Sequence, residues 1–124
     1  MKRKFKIGNE NLDFEMTNKT IFDIDERFDN FGDVINGVMY GKNLYNNALK
    51  VMICSCTSKR VDKDGNENPL TIDELKEKLT PNQVIDEIIP FATDLYFDYR
   101  GVKTSDTTTD EDKSEDESKK NRFK

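Results

Sequence analysis

Residues 4–16, with the sequence KFKIGNENLDFEM, alternate polar and apolar side chains on either side of a polar centre. A period of two is typical of a strand with one buried face, and the run Gly8-Asn9-Glu10-Asn11 favours a turn. We therefore predict a β-hairpin with a four-residue turn. One face carries its apolar side chains, which are Phe5, Ile7, Leu12, Phe14 and Met16. Because an isolated hairpin is marginally stable in water, this face is expected to pack on helices.

After the hairpin, apolar residues recur every three or four positions, which is the period of an amphipathic helix. A first helix is predicted to start at Thr20, a capping residue, and to stop at Gly32. Its apolar stripe contains Ile21, Ile24, Phe28 and Phe31. A short second helix follows, capped by Asp33, weakened by Gly37 and ended by Gly41. Its apolar residues are Val34, Ile35, Val38 and Met39.

The widest apolar stripe of the chain runs from Asn43 to about Ser58 and predicts the most buried helix. It contains Leu44, Tyr45, Ala48, Leu49, Val51, Met52, Ile53, Cys54 and Cys56. Cys54 and Cys56 point in different directions on such a helix, so we expect neither a disulfide nor, from two thiols alone, a zinc site. We interpret both as small core residues of a protein in a reducing cytosol.

Two capping boxes predict the starts of the C-terminal helices, after a polar loop at 59–69. Thr71-Ile72-Asp73-Glu74 opens a helix that ends at Leu79. Thr80-Pro81-Asn82-Gln83 opens the last helix, with proline at the favoured first position. We expect this last helix to end near Arg100-Gly101, because glycine commonly follows a helix.

The last helix carries an apolar stripe that keeps its phase past a proline. The stripe contains Val84, Ile85, Ile88, Ile89, Phe91, Ala92, Leu95, Tyr96 and Tyr99. Pro90 has no N–H and crowds the carbonyl of Asp86, one turn earlier. We therefore predict a kink or a short break of the helix at Pro90.

The charge of the chain is unevenly distributed. The 124 residues include 25 acidic and 20 basic side chains, and the formal net charge is −5. Residues 105–124 hold 7 acidic and 5 basic residues and a single hydrophobic one, Phe123. A segment that buries almost nothing cannot offset the entropy of ordering, so we predict a disordered acidic tail. Residues 1–104 are predicted to form one α+β domain, with an N-terminal β-hairpin packed on a small bundle of four to five helices.

The composition excludes most catalytic sites. The chain has no His, so a Ser-His-Asp or Cys-His arrangement is impossible, and the commonest general base and metal ligand is missing. No glycine pattern resembles a P-loop or a dinucleotide fingerprint. We therefore predict a protein that is not an enzyme and that has no catalytic residue, no cofactor and no metal.

Neither nucleic acid nor a membrane is an expected partner. The negative net charge disfavours nonspecific binding to nucleic acid, and we interpret the basic cluster of Lys2-Arg3-Lys4 and Lys6 as the solvent face of a strand. The longest uninterrupted apolar run, residues 51–54, has four residues, far fewer than the roughly 20 that span a bilayer. The basic N-terminus is not followed by an apolar segment, so it is not interpreted as a secretory signal.

Two acidic clusters have simple structural interpretations. Within residues 62–67, placing Gly65 at the sixth position of an EF-hand loop puts Arg60 at position one and Thr71 at position twelve, where acidic ligands are required. We therefore reject a calcium site and interpret the segment as a solvated turn. A second group of carboxylates has no adjacent nucleophile and is interpreted as a solvated helix face. It consists of Asp23, Asp25, Glu26 and Asp29.

Aromatic side chains of the last helix are the candidate partner-binding residues. They are Phe91, Tyr96, Phe97 and Tyr99. Most of this cluster is expected to lie in the core. Phe97, however, lies off the main apolar stripe and is flanked by Asp94 and Asp98. An exposed aromatic side chain on a helix is a reasonable contact for a partner.

The order of the elements has a known counterpart. The N-terminal hairpin is followed by a helix with Asp25-Glu26-Arg27 near its middle, a glycine-bounded short helix and a long apolar helix. A loop then leads to Leu70-Thr71-Ile72-Asp73-Glu74-Leu75, and the last helix begins with Leu79-Thr80-Pro81-Asn82-Gln83-Val84. Over roughly residues 4–100, this order and its apolar phase resemble the tail assembly chaperones of long-tailed bacteriophages, prophages and gene transfer agents.

The resemblance implies a protein without enzymatic activity. Its expected partners are the tape-measure protein, which the chaperone would coat, and the tail-tube protein, whose subunits it would help to recruit. Its expected location is the host bacterial cytoplasm, and it is not expected in the mature virion.

Many members of this family are also made in a longer form by a programmed ribosomal frameshift, which would be a further partner. The consecutive lysines Lys119-Lys120 fit an A-rich slippery run of codons. A gene without a slippery heptamer there, and without an overlapping downstream frame, would contradict this hypothesis.

Two other functional classes remain open. A virion structural part, such as a head–tail connector or a tail-completion protein, would be found in purified particles, where a chaperone would be scarce. An acidic inhibitor that mimics nucleic acid would carry an unbroken field of carboxylates. This chain instead intersperses its acidic side chains with 20 basic ones.

Overall fold

The structure, a computed structural model, describes residues 2–28 and 30–102. The elements follow in the order β1 (Arg3–Ile7), β2 (Glu10–Phe14), α1 (Asn18–Arg27), α2 (Phe31–Tyr40), α3 (Leu44–Ser55), α4 (Ile72–Lys78), a π-helical turn (Gln83–Glu87) and α5 (Ile88–Arg100). The predicted α+β fold, a hairpin followed by a small set of helices, is confirmed. The predicted tail at 105–124, with Lys119-Lys120, and the carboxylate of Asp29 lie outside the described residues.

The N-terminal hairpin has the predicted alternation but a shorter turn. β1 and β2 are antiparallel, and Ile7 lies opposite Glu10. The turn therefore contains two residues, Gly8 and Asn9, and the prediction of a four-residue turn is wrong. Gly8 has a φ of 61° and Asn9 a negative φ. This pattern is that of a type II′ turn, whose twist matches the twist of the strands it joins.

The boundary between α1 and α2 differs from the prediction. Thr17, not Thr20, precedes α1, and its N–H donates to Oγ1 of Thr20 at 3.0 Å. Gly32 does not stop the first helix, because α1 has already ended and Gly32 lies in α2. Asn30 caps α2 through its Oδ1, which accepts from the N–H of Asp33 at 3.2 Å. Asp33 is therefore not the cap but an acidic residue of the first turn, where the helix dipole favours it.

A tight turn joins α2 to α3 and requires Gly37. Gly41 and Asn43 both adopt the left-handed conformation, with φ of 82° and 48°. A Cβ on Gly37 would lie 2.0 Å from Nδ2 of Asn47 and 2.5 Å from the carbonyl oxygen of Lys42. The buried Asn47 uses this Nδ2 to donate to the same carbonyl at 2.9 Å. Gly37 thus allows α3 to approach α2 closely, in addition to being a poor helix former.

α3 is rich in buried residues, as predicted, and it ends at the hairpin, earlier than predicted. The residues that follow it are extended and lie beside β2. The N–H of Glu15 donates to the carbonyl of Ser55 at 2.8 Å, and the N–H of Thr57 donates to the carbonyl of Asp13 at 2.8 Å. Cys56 lies between these two bonds and pairs with Phe14 in an isolated bridge. This segment therefore covers the outer edge of β2.

The predicted capping box of Thr80 and Gln83 is complete, whereas at Thr71 and Glu74 only the bond to the Thr71 side chain forms, because the Glu74 carboxylate binds Arg60 and Lys78 instead. Oγ1 of Thr71 accepts from the N–H of Glu74 at 3.1 Å. Thr80 and Gln83 exchange two bonds: the N–H of Thr80 donates to Oε1 of Gln83 at 3.0 Å, and the N–H of Gln83 donates to Oγ1 of Thr80 at 3.2 Å. These bonds satisfy N–H groups that have no partner within their own helix.

The distortion predicted at Pro90 lies one turn earlier and is a π-helical turn. The N–H of Ile88 donates to the carbonyl of Gln83, five residues back. A π turn contains an extra residue and therefore changes the phase of the apolar stripe before it. Ile85, predicted to be buried, is 64% exposed, whereas Ile88 is buried.

The core lies between the hairpin and the helices. The predicted apolar face of the hairpin is buried at all five positions, which are Phe5, Ile7, Leu12, Phe14 and Met16. The largest fully buried side chains elsewhere are Ile24, Met52, Leu75, Ile88, Leu95 and Val51. Met39 and Tyr45 are exposed and were wrongly assigned to the core. Met39 lies in the last turn of α2 and Tyr45 in the first turn of α3. The two residues therefore lie on either side of the turn that joins these helices, at the end of α3 that is far from the hairpin.

Candidate partner-binding surface

Phe91, the first of the four candidate residues of the last helix, packs against the core. Its ring centroid lies 4.7 Å from that of Phe5 and 5.3 Å from that of Phe14, with the ring of Phe14 edge-on. Aromatic pairs at these distances add to the stability gained from burial alone. The ring of Phe91 therefore joins α5 to both strands.

The other three candidates lie further along α5, near the first turns of α1 and α2. The ring of Tyr96 lies 6.2 Å from that of Phe31 and 6.1 Å from that of Phe97. Tyr96 and Phe97 are both partly buried. Tyr99 is exposed, and its hydroxyl donates to Oδ1 of Asn18 at 2.6 Å. The structure thus brings Tyr96, Phe97 and Tyr99 to one region but separates Phe91 from them.

The end of α5 is closed by two backbone hydrogen bonds, one of them to Phe97. The N–H of Val102 donates to the carbonyl of Phe97 at 2.8 Å, and the N–H of Gly101 donates to that of Asp98 at 3.1 Å. With Gly101 at a φ of 75°, these bonds form a Schellman motif. Schellman motifs commonly include an apolar contact between residues at the positions that Val102 and Phe97 occupy here.

A second group of exposed apolar side chains, absent from the sequence-based candidates, lies where α2 meets α3. Tyr40, the last residue of α2, is 83% exposed. It lines a concavity of about 430 Å³ between the two helices. We call this region the corner surface. Its lining includes Asp33, Asn36, Tyr40, Lys42, Asn43, Asn47 and Lys50.

The corner surface combines apolar side chains with amides and cations. Asn36, Asn43 and Asn47 line the concavity. Lys42 and Lys50 also line it. A neighbouring concavity of about 370 Å³ shares Asn43 and Lys50 and adds Lys76 of α4 and the partly buried Ile72. Such a surface suits a partner that presents an apolar stripe flanked by polar or acidic side chains.

One feature of the sequence indicates that Tyr40 is exposed. This residue lies off the apolar stripe of its helix, as Phe97 does in the last helix. Phe22 likewise lies off the stripe of α1 and is 70% exposed. It is one turn away from Asn18, which binds Tyr99, so it lies on the side of α1 that faces the end of α5.

Arg60, predicted to lie in a solvated loop, is the centre of an ion network. Its side chain is only 6% exposed. It donates to Oε1 of Glu10 at 2.7 Å, to Oε2 of Glu74 at 2.5 Å and to the carbonyl oxygen of Asn68 at 3.1 Å. Lys78 donates to the same oxygen of Glu74 at 2.8 Å. The network links the first residue of β2, the loop and α4.

The hydrogen bonds from Arg60, assisted by those from Lys78, hold the pKa of Glu74 at about 2. The same carboxylates of Glu74 and Glu10 raise the pKa of the Arg60 guanidinium. Both groups are therefore charged throughout the neutral range. We interpret the network as structural, because a carboxylate that stays ionised and fully bonded is a poor proton carrier.

The segment rejected as a calcium site is a turn closed by its own side chain. Oδ1 of Asp62 accepts from the N–H of Asp64 at 2.9 Å and from that of Asn66 at 3.0 Å. Gly65 has a φ of 84°, and Val61 pairs with Glu67 in an isolated bridge. An Asp side chain that binds the backbone two residues on is a common turn-former, which agrees with the interpretation as a turn.

The two cysteines are free thiols. Cys54 lies in α3, where burial raises the pKa of its thiol. Cys56 lies beyond the end of α3, and burial raises the pKa of its thiol too. The prediction that both lie on one helix is wrong for Cys56. Both are partly buried against the core rather than enclosed within it.

The remaining observations concern metals, membranes and relatives. Among residues 2–28 and 30–102, no group of three or more His, Cys, Asp or Glu side chains is placed to hold a metal ion. No helix in this part of the chain is long and apolar enough to cross a membrane. No family model, no curated protein and no solved structure matches the chain. A functional assignment therefore depends on the exposed surfaces and on the order of the elements.

Proposed function

We propose that this protein is a phage tail assembly chaperone that binds the tape-measure protein, keeps it soluble and helps to recruit tail-tube subunits. In this proposal it has no enzymatic activity, acts in the host cytoplasm and is absent from the finished virion. The observation that carries the proposal is the corner surface, where the highly exposed Tyr40 stands beside a concavity of about 430 Å³. The element order that resembles this family supports it independently.

The corner surface suits a helical partner with an apolar stripe. Tape-measure proteins are long and helical, and their apolar stripes would aggregate if left uncovered. In the helix-in-groove mode, Tyr40 contacts the apolar stripe of the partner. Lys42 and Lys50 then contact acidic side chains on its flanks. Weak contacts repeated along a long partner add up to stable coating and still permit displacement by tube subunits.

The corner surface is also better suited to binding than Phe91. The ring of Phe91 already packs against Phe5 and Phe14, so a partner would have to compete with the core for it. The side chain of Tyr40 is free of such contacts at 83% exposure. Tyr96, Phe97 and Tyr99 remain a second candidate surface, since Tyr99 is exposed and the other two are partly buried.

The test is co-expression of the full chain with a tape-measure protein of a long-tailed phage. We expect the unmodified chain to keep that protein soluble and Tyr40→Ala to lose this effect. Loss of a central aromatic contact costs about 2 kcal/mol, or roughly 30-fold in Kd, which titration calorimetry on a purified helical fragment measures. Tyr40→Phe is the matched control, because it keeps the ring and removes only the hydroxyl.

The results distinguish the corner surface from the end of α5 as the binding surface, and a chaperone from a virion structural part. If Phe97→Ala abolishes binding and Tyr40→Ala does not, the partner binds the end of α5 and our assignment of the corner surface is wrong. If no variant changes solubility and the unmodified chain does not bind, the chaperone function itself is wrong. Mass spectrometry of purified particles adds an independent check, because abundant protein there would favour a virion structural part.

A further inference from the structure

A buried side chain of the corner surface has an oxygen without a hydrogen-bond donor. Asn47, near the start of α3, is only 7% exposed. Its Nδ2 donates to the carbonyl oxygen of Lys42 at 2.9 Å. Its Oδ1 accepts no hydrogen bond within residues 2–28 and 30–102. Buried polar atoms usually have a partner, because burying them unpaired costs free energy, so this oxygen indicates a donor that binds from outside.

The backbone determines which end of the Asn47 amide is free. A carbonyl oxygen can only accept, so the amide turns its Nδ2, and not its Oδ1, toward the carbonyl of Lys42. Gly37 allows this arrangement, because a Cβ there would lie 2.0 Å from Nδ2 and 2.5 Å from the same carbonyl oxygen. The turn between α2 and α3 therefore fixes Oδ1 as an unpaired acceptor.

The concavity of the corner surface gives access to this oxygen. Among the buried and partly buried residues that the structure describes, Oγ of Ser55 is the only side-chain N or O atom that is both closed off from solvent and unpartnered. The unpartnered Oδ1 of Asn47 is therefore still reached by solvent. Asn47 lines the concavity of about 430 Å³ together with Gly37 and Lys42, and its amide lies against both of them. Oδ1 thus opens into this concavity.

The lining of the concavity favours a neutral group that both donates and accepts. An anion has no N–H or O–H to donate and would leave Oδ1 of Asn47 unsatisfied. A cation has donors but meets Lys42 and Lys50, which carry the same charge. Asn36 and Asn43 also line the concavity, and in the described part of the chain their side chains make no hydrogen bond. Their amides are therefore available to an acceptor on the ligand.

We propose that the concavity binds a primary amide, the side chain of a glutamine or asparagine on a partner helix. An N–H of this amide donates to Oδ1 of Asn47, and its carbonyl accepts from the side chain of Asn36 or Asn43. The ring of Tyr40 packs on the aliphatic part of the bound side chain. Such a site selects one position along the partner helix, which an apolar stripe alone does not. That the partner is a tape-measure protein rests on the proposed function, whereas the amide site itself does not.

An NMR titration of the full chain with small molecules tests the site without a partner protein. We expect propionamide to shift the side-chain NH₂ signals of Asn47 and the backbone N–H signal of Gly37. Butanone is the matched control, because it replaces the NH₂ group by a methyl group of similar size and keeps the carbonyl. It should bind about tenfold more weakly, since it leaves Oδ1 of Asn47 unsatisfied.

Two variants locate the response. Asn47→Ala removes the acceptor, and we expect the shift of the Gly37 signal on adding propionamide to disappear. Urea denaturation checks that this variant folds, because it also loses the bond to the Lys42 carbonyl. If it does not fold, the comparison of propionamide with butanone on the unmodified chain decides the question. Asn46→Ala, at an exposed neighbouring residue, is the control and should respond as the unmodified chain does.

Equal binding of propionamide and butanone would overturn the proposal. Tighter binding of propionate or propylammonium would also overturn it, because the concavity would then take a charged group. The chaperone function is tested separately. Binding of propionamide without binding of a tape-measure protein would support the amide site and contradict the proposed function, and the reverse result would contradict the amide site alone.

Discussion

Arg60 gains its partners from distant parts of the chain. Glu10 lies 50 positions before it and Glu74 lies 14 positions after it. In the sequence this arginine lies in a polar loop, and nothing within four residues marks it as buried. The fold brings the first residue of β2 and α4 together around it. A buried guanidinium is stable only when its donors are satisfied, so this one residue fixes the position of the loop.

The Glu74 carboxylate should make the protein less stable in acid. Its pKa falls from the ordinary 4.5 to about 2 on folding, because Arg60 and Lys78 bond to the ionised form. A lowered pKa adds stability that is complete above pH 4.5 and is lost as the pH falls from about 4.5 to about 2. At about 1.4 kcal/mol for each pKa unit this difference corresponds to at most about 3.5 kcal/mol, which solvent screening of the partly exposed pair lowers to about 2–3 kcal/mol.

Urea denaturation at pH 7 and pH 3 measures this contribution. We expect Glu74→Gln to be destabilised at pH 7 and to lose less stability than the unmodified chain between the two pH values. Glu77→Gln, on an exposed residue of the same helix, is the control and should follow the unmodified chain. An identical pH dependence in Glu74→Gln would contradict the role of Arg60.

At the scale of the elements, the predictions that held were those set by near neighbours in sequence. The alternation in β1 and β2 depends on successive residues, and the box of Thr80 and Gln83 depends on residues three apart. The boundary of α2 was missed because two candidate caps, Asn30 and Asp33, lie close together. Pro90 indicated a distortion of the last helix, but neither its position one turn earlier nor its π-helical form. Its position depends on how α5 packs against the hairpin and α3, which is a property of the whole core.

The π turn predicts opposite effects for two isoleucines three residues apart. In a regular helix Ile85 and Ile88 would share one face, but here Ile85 is 64% exposed and Ile88 is 1% exposed. Ile85→Ala should cost at most about 0.5 kcal/mol, as exposed substitutions usually do. Ile88→Ala should cost about 2–5 kcal/mol, because it leaves a cavity in the core. Urea denaturation compares the two variants, and equal costs would show that the helix is regular in solution.

At the scale of the whole molecule, the N-terminal hairpin and the C-terminal helix depend on each other. Three contacts join them: Phe91 packs on Phe5, Arg3 pairs with Asp98, and Gln83 binds the carbonyl of Lys6. Apolar phase alone indicates that both elements face a core, but not that they face each other. For this reason the sequence placed Phe91 in the same candidate cluster as Tyr96, Phe97 and Tyr99.

We therefore expect the Phe91 side chain to contribute much more to the free energy of unfolding than the Phe97 side chain. Phe91→Ala removes a ring that contacts both strands, and we expect a loss of about 2–4 kcal/mol, a large part of the stability of a small domain. Phe97→Ala should cost about 1 kcal/mol, because this ring is partly exposed and touches neither strand ring. Hydrogen exchange adds a second measure: Phe91→Ala should weaken the protection of the Phe5 amide, and Phe97→Ala should not. A Phe97→Ala variant that destabilises the hairpin as strongly as Phe91→Ala would mean that the whole aromatic face of α5 belongs to the core.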